Sequence, residues 1–155
     1  MTWWPEASDM TEQLSRTDRI ACLHAMSCLA WADGRLHADE LTAARAAARI
    51  LGLEEEQPGP GLINRRPAMR RVPIHALSPE GRRAVYASAA WMALADGVLD
   101  WRERELLRAL QRRLELDDAD RARLEDVVYE RGTRLNVSWP ERYAEILCEV
   151  VDAAG

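Results

Sequence analysis

Ala95-Asp96-Gly97-Val98-Leu99-Asp100-Trp101-Arg102-Glu103 has a weaker copy at Ala32-Asp33-Gly34-Arg35-Leu36-His37-Ala38-Asp39-Glu40. A shift of 63 positions brings the two into register as Ala-Asp-Gly-x-Leu-x-x-x-Glu, and carries Leu51 and Leu53 onto Leu114 and Leu116. Each copy follows a run without charge, Ile20 to Ala32 and Ala84 to Ala95, and precedes a charged amphipathic stretch. This is an internal duplication of a helix–turn–helix unit.

The charge-free runs are apolar on every side, which predicts helices buried on every side. Their many Ala and Ser residues allow close approach, so the two are expected side by side at the centre. After the first motif, Leu41, Ala44, Ala48 and Leu51 form an apolar stripe, ended by Gly52 as a C-terminal cap. After the second, Leu107, Leu110 and Leu114 repeat the plan, flanked by Arg108, Arg112 and Arg113 as a solvated face. Ser78-Pro79-Glu80 reads as an N-cap with Pro at the first helical position. Asp9 to Glu12 and Ser138 to Glu141 read as capping boxes, and Ser15 to Asp18 as a restart of the first helix. Asp117 or Asp118 caps a helix closed by Gly132, and the last helix carries Tyr143, Ile146, Leu147, Val150 and Val151 on one face.

No stretch alternates with period two over a strand's length, so the chain is all-α: a compact bundle of about seven helices with an internal pseudo-twofold repeat. It divides as one domain over 1–155, with repeat 1 at about 17–53, a linker at 54–77, repeat 2 at about 78–116 and C-terminal helices at 117–155. The linker holds Pro58-Gly59-Pro60-Gly61 and the arginines Arg65, Arg66, Arg70 and Arg71. A locally ordered connection is expected there in preference to a binding patch, since charge runs are most often solvated.

The formal charge of −5 argues against a general nucleic-acid binder. Cys22, Cys28 and Cys148 are three, widely spaced, without a CxxC pair; buried small hydrophobes are expected ahead of a thiol metal or redox site. His24 is expected as a satisfied core histidine. The N-terminal stretch lacks a signal peptide's basic and apolar regions, and the charge-free runs fall short of the roughly 20 residues a spanning helix needs. A cytoplasmic location follows as the default.

The motif has two readings. In the structural one, Gly97 ends a helix in the left-handed conformation, Leu99 turns inward, and Asp100 with Glu103 forms a capping box. In the functional one, Asp33, Glu40, Asp96, Asp100 and Glu103 converge on a divalent cation, for which carboxylate oxygens suit Ca²⁺, Mg²⁺ or Mn²⁺; Zn²⁺ is a further candidate. No EF-hand is complete, because Met92 and Leu94 in one copy, and Leu29 and Trp31 in the other, stand where oxygen ligands are needed.

The doubled motif, each copy behind an apolar helix, resembles the TerB-like (tellurite-resistance protein B) family and the related N-terminal domain of a membrane-anchored J-domain co-chaperone. The resemblance runs from about Ile20 to Leu53 and from Val85 to roughly Asp120. It implies a helical bundle with an acidic, proposed metal-binding surface, in a setting of tellurite, phage-defence or envelope stress. The partners it implies are an integral membrane protein of the same resistance set and small calcium-binding stress proteins, which would place the protein at the inner face of the membrane. His37 stands where the family expects an acid.

Catalysis has no local signature: no P-loop, no HExxH or HxxxH, no Ser/His/Asp or Cys/His arrangement. A non-enzymatic stress-response module that binds a divalent cation and partner proteins is the preferred expectation. The alternative is a metal-free helical adaptor that uses the Arg-rich linker and the Trp3-Trp4 tail. A third is weak peripheral membrane contact through Arg65, Arg66, Arg70 and Arg71.

Overall fold

The computed structural model describes residues 13–32, 34, 38–53, 68–94, 99–132 and 139–152. Among these residues every regular element is helical, in agreement with the all-α reading. The α-helices are α1 (Arg16–Ala30), α2 (Ala38–Ile50), α3 (Pro79–Leu94), α4 (Trp101–Arg113), α5 (Asp118–Gly132) and α6 (Trp139–Asp152). Two short 3₁₀ turns, Met69–Arg71 and Ile74–Ala76, precede α3. The capping boxes read at Asp9 to Glu12 and Ser138 to Glu141 fall wholly or partly outside the described residues, as do Gly97 and most of the linker.

The two charge-free runs become α1 and α3, and their mutual contact is the most extensive in the molecule. Along α1, Ala21 to Ala30 is buried apart from His24, and along α3 Ala84 to Ala93 is buried throughout. Ile20 departs from the expectation at 40% exposure: its neighbours Asp18, Arg19 and Ala21 are buried, so it lies on the side of α1 turned away from the core. Around this pair, α4, α5 and α6 lean on α3, while α2 packs on α1 and α6. The apolar face of α6 is buried as read: Tyr143, Ile146, Leu147, Val150 and Val151. No helix among the described residues is long and apolar enough to cross a membrane.

The 63-residue register reappears as bonds. Ser15 and Ser78, in register, both cap: Ser15 Oγ accepts from the Asp18 N–H at 3.1 Å, and Ser78 Oγ from the Gly81 N–H at 2.9 Å. Arg19 donates through Nη1 to the Leu51 carbonyl at 2.9 Å, and Arg82, in register, to the Leu114 carbonyl at 3.1 Å. Gly52 and Glu115, again in register, both have positive φ, 71° and 58°. The Leu53 N–H then reaches back to the Ala48 carbonyl at 2.8 Å and the Leu116 N–H to the Gln111 carbonyl at 3.1 Å. Each unit therefore ends its second helix in a Schellman-type turn. In both, an arginine from the first helix covers a carbonyl left unpaired by the end of the second, where the helix dipole also favours a cation.

Asp18 joins the two units. It completes the α1 capping box by accepting from the Ser15 N–H, and its side chain is fully buried. The same carboxylate accepts from the Ser78 N–H at 3.1 Å and the Ser78 hydroxyl at 2.7 Å. A buried anion is tolerable only when its lone pairs are filled, and here the starts of both central helices fill them. Gly81 makes the room: a Cβ there would lie 2.1 Å from Asp18 Oδ1.

The remaining caps agree with the sequence. Asp117 Oδ1 accepts from the Asp120 N–H at 2.7 Å, which makes Asp117 the cap of α5. His24 is half-buried, and its Nε2 lies 2.8 Å from the Ala68 carbonyl. Downstream of Ala68 the linker is ordered on the core, with Val72, Ile74 and Leu77 buried.

Candidate functional site

Of the residues proposed for a cation, the structure describes Glu40, Asp100 and Glu103; Asp33 and Asp96 lie outside the described residues. Asp100 sits at the N-cap of α4 in extended backbone, and its Oδ1 accepts from the Arg102 N–H at 2.8 Å and the Glu103 N–H at 3.1 Å. Glu103 returns the bond, its Oε1 accepting from the Asp100 N–H at 3.1 Å. The capping box read from the motif is present in full. Glu40 lies, half-buried, in the first turn of α2, where the helix dipole favours an acid. Among the described residues no three His, Cys, Asp or Glu side chains converge on a point that would hold an ion. The described part of the motif therefore builds helix starts, and a cation site would need Asp33 and Asp96.

The partner-binding candidates divide similarly. Trp3, Trp4, Arg65 and Arg66 lie outside the described residues. Arg70 and Arg71 are exposed on the first 3₁₀ turn. That turn is pinned from behind: Arg113 Nη2 donates to the Arg70 carbonyl at 3.0 Å and to the Val72 carbonyl at 3.3 Å.

The cysteines behave as core residues. Cys22 and Cys28 are buried, and Cys148 is partly covered. Burial pushes the Cys22 thiol up to about 12, against a hydrogen bond from Ser88 that pulls the other way. Ser88 Oγ also lies 2.7 Å from the Tyr143 hydroxyl, and both are fully buried. A thiol held neutral in the core is no nucleophile or metal ligand.

One cleft has the size of a ligand site. It measures about 610 Å³ and opens between α4 and α5, with Tyr86 of α3 in its lining. Both flanking helices lean on α3, and Gln111 Nε2 bridges them by donating to Asp118 Oδ1 at 3.0 Å. From α4 the cleft receives Arg104, Arg108 and Arg112, with Leu107 between them. On the α5 side the charges are internally matched: Arg121 pairs with Glu125 at 3.1 Å, and the Tyr86 hydroxyl donates to Glu125 at 2.7 Å. Burial first, and Glu125 second, hold the Tyr86 phenol well above its ordinary value, so it stays a donor. The α4 arginines, by contrast, have little to match them. Arg108 meets Glu105 only at 4.0 Å with both side chains well exposed, and among the described residues Arg104 and Arg112 have no ionic partner. The sequence marks Arg108 and Arg112 as a solvated face; their shared outlook on a cleft depends on how α4 and α5 diverge from α3, which no local pattern carries.

Residues 1–58 match the family model described as tellurite resistance protein TerB. Over this segment the chain is similar to that family. The match takes in the first copy of the motif, α1 and α2, and the all-helical fold is consistent with the family. Neither the curated proteins nor the solved structures give a match. The second copy lies beyond the TerB-matched segment, and its kinship to the first rests on the shared register of caps and arginine bonds described above.

Proposed function

We propose that the protein is a non-enzymatic, TerB-like stress-response module whose work is to bind protein partners, in a setting of tellurite, phage or envelope stress. The setting rests on the TerB match over residues 1–58. The binding role rests on one observation: Asp100 and Glu103 of the motif are committed to backbone N–H groups, while the arginines of α4 face outward with little to neutralise them. This favours the metal-free adaptor over the cation module, and moves the basic surface from the linker to α4. The test is genetic: a host lacking the gene is challenged with tellurite and with phage, then complemented. Restored survival by the wild type, and equally by Asp100→Ser, which keeps a capping oxygen and removes the carboxylate, is the expected result. Wild-type growth of the deletion strain under every challenge overturns the setting.

A second reading keeps the divalent cation, Ca²⁺, Mg²⁺, Mn²⁺ or Zn²⁺. It is favoured by Asp100 spending only Oδ1 on both of its backbone N–H groups. Thermal shifts of EDTA-stripped protein against each ion separate the two. Saturable binding to the native state raises stability by about 2.7 kcal/mol at a hundredfold excess over Kd. A shift of that kind, abolished by Asp96→Asn, establishes the cation module. Its absence for every ion leaves the adaptor.

A further inference from the structure

On a helix with 3.6 residues per turn, Trp101, Arg104, Arg108 and Arg112 fall within a stripe roughly 80° wide. Trp101 is 68% exposed, and the Arg102 guanidinium stacks over its ring at 5.5 Å. Exposed Trp and Arg on one face are the residues that most often carry binding energy at protein interfaces. The full stripe belongs to the second unit: exposed Arg45 and Arg49 stand in the registers of Arg108 and Arg112, but Ala38 and Leu41 occupy those of Trp101 and Arg104, and Leu41 packs against the core.

We propose that this stripe and the adjoining cleft dock an acidic amphipathic helix of a partner protein. Arg104, Arg108 and Arg112 recur every four residues, so their attachment points step by about 6 Å along the axis. A helix with acids at the same spacing, lying alongside α4, presents one carboxylate to each guanidinium, and Arg with carboxylate forms planar, charge-assisted pairs. Leu99 and Leu107 in the cleft lining accept the partner's apolar side chains. Two features decide against other occupants. Asp118 and Glu125 share the cleft, and they oppose a dense phosphate cluster more than they oppose carboxylates spaced along the other wall. The chain's net charge of −5 makes a second copy self-repelling. The proposal deepens the partner-binding role and rests on it.

The experiment uses the full chain and a fluorescein-labelled peptide about 16 residues long, a length at which helix formation is attainable, built of repeated Glu-Ala-Ala-Leu. The control peptide has the same composition with its Glu gathered at one end. Anisotropy is expected to show saturable binding of the first peptide, weaker binding of the second, and a loss of about tenfold or more when salt is raised well past the screening range. Arg104→Gln with Arg112→Gln is expected to weaken binding about tenfold, with an unchanged thermal melt as the fold control, and Trp101→Ala to weaken it independently. Equal binding of the two peptides, or binding indifferent to the arginine changes, overturns the proposal. So does a silent peptide together with saturable binding of sodium triphosphate, or with a dimer that the arginine variant dissociates; these assign the cleft to a phosphate ligand or to a second copy. If the peptide fails while the gene still protects its host, the partner-binding role stands and only this surface falls.

Discussion

Residues 15–53 and 78–116 are built with the same bonds in the same register, yet the two units have diverged in what they bury and what they show. Both open on a capping serine, both end on a left-handed residue, and in both an arginine reaches 32 positions forward to a terminal carbonyl. Within that frame, the first unit buries polar groups at the start of its first helix. Asp18 is fully buried and Arg19 only 7% exposed, whereas Gly81 and a half-exposed Arg82 stand in their registers. Both second helices show arginines, Arg45 and Arg49 standing in the registers of Arg108 and Arg112, but α4 adds Arg104 and Trp101 where α2 has Leu41 and Ala38. The difference follows from what covers each: α6 lies against α2, while α4 has a cleft beside it. A duplicated unit thus buries a polar lock in one copy and widens its exposed basic face in the other.

The deepest asymmetry is the pairing of Asp18 with Gly81, and breaking it has the largest expected effect. Gly81→Ala places a methyl 2.1 Å from an oxygen of a carboxylate that three donors at the two helix starts hold in place. Overpacking against an anchored group costs typically 1–3 kcal/mol, and about 3 kcal/mol is expected here because the carboxylate cannot swing aside without stranding Ser78. A fall in melting temperature of roughly 6–12 °C follows for a chain of this size. Asp18→Ala alone costs about as much, by leaving buried N–H groups unpaired. The double variant is expected to lose markedly less than the sum of the two, since the second change removes the clash of the first. Additive losses in urea unfolding would mean that the two positions do not act as a lock and that Asp18 serves only its own helix.

The frame of this comparison was largely legible in the sequence, and the lock was not. Charge-free runs, the Ser78 cap, the Asp100–Glu103 box and Gly52 are local signals: each is read within one short contiguous stretch and each appears where expected. Asp18 carries a local signal too, as the third residue of a capping box, and that signal hides its second duty to a serine 60 positions away. Arg19 and Arg82 carry no local signal of the carbonyls they reach, and only the 63-residue shift, applied beyond the motif, pairs them. The cleft is further from reach, because it arises from two helices diverging on a third. The candidate cation site divides in the same way. The acids that have backbone duties, Asp100 and Glu103, stand where read; Asp33 and Asp96, which have none to predict, lie outside the described residues.

A second difference between the units lies in the core: Cys22 stands in the register of Val85. Burial raises the folded-state value of Cys22 from 9.0 to about 12 and that of Tyr143 well above 10.0. Each group is protonated in both states at low pH, so the stability it contributes is complete below its unfolded value. That stability drains away as pH rises from about 9 for the thiol and about 10 for the phenol, because only the unfolded chain releases the proton. Each affected group removes about 1.4 kcal/mol per pH unit in that window. Between pH 8 and 10.5 the thiol's share is about 2 kcal/mol. Copying the second unit's residue, Cys22→Val, is expected to remove that share of the slope whatever it does to stability at pH 7, and Cys22→Ala is expected to flatten the slope equally. An unchanged slope in urea unfolding across the pH series would move the alkaline sensitivity to the tyrosines.

The smallest effect has the sharpest sign. Gly52 and Glu115 hold the same left-handed position at φ 71° and 58°, one with glycine and one with a side chain that must tolerate it. An L-residue in this conformation costs roughly 1–2 kcal/mol that glycine avoids. Gly52→Ala is therefore expected to destabilise by about 1 kcal/mol. Glu115→Gly is expected to act the other way, by somewhat less than 1 kcal/mol, since it also gives up the 3.4 Å contact with Arg82. That contact is worth little, because the Glu115 side chain is 78% exposed. A rise in melting temperature of roughly 1–3 °C for Glu115→Gly follows. If Glu115→Gly instead destabilises, the Arg82–Glu115 pair does more than its exposure suggests. The second unit would then hold its turn by side-chain charge, where the first holds it by backbone freedom.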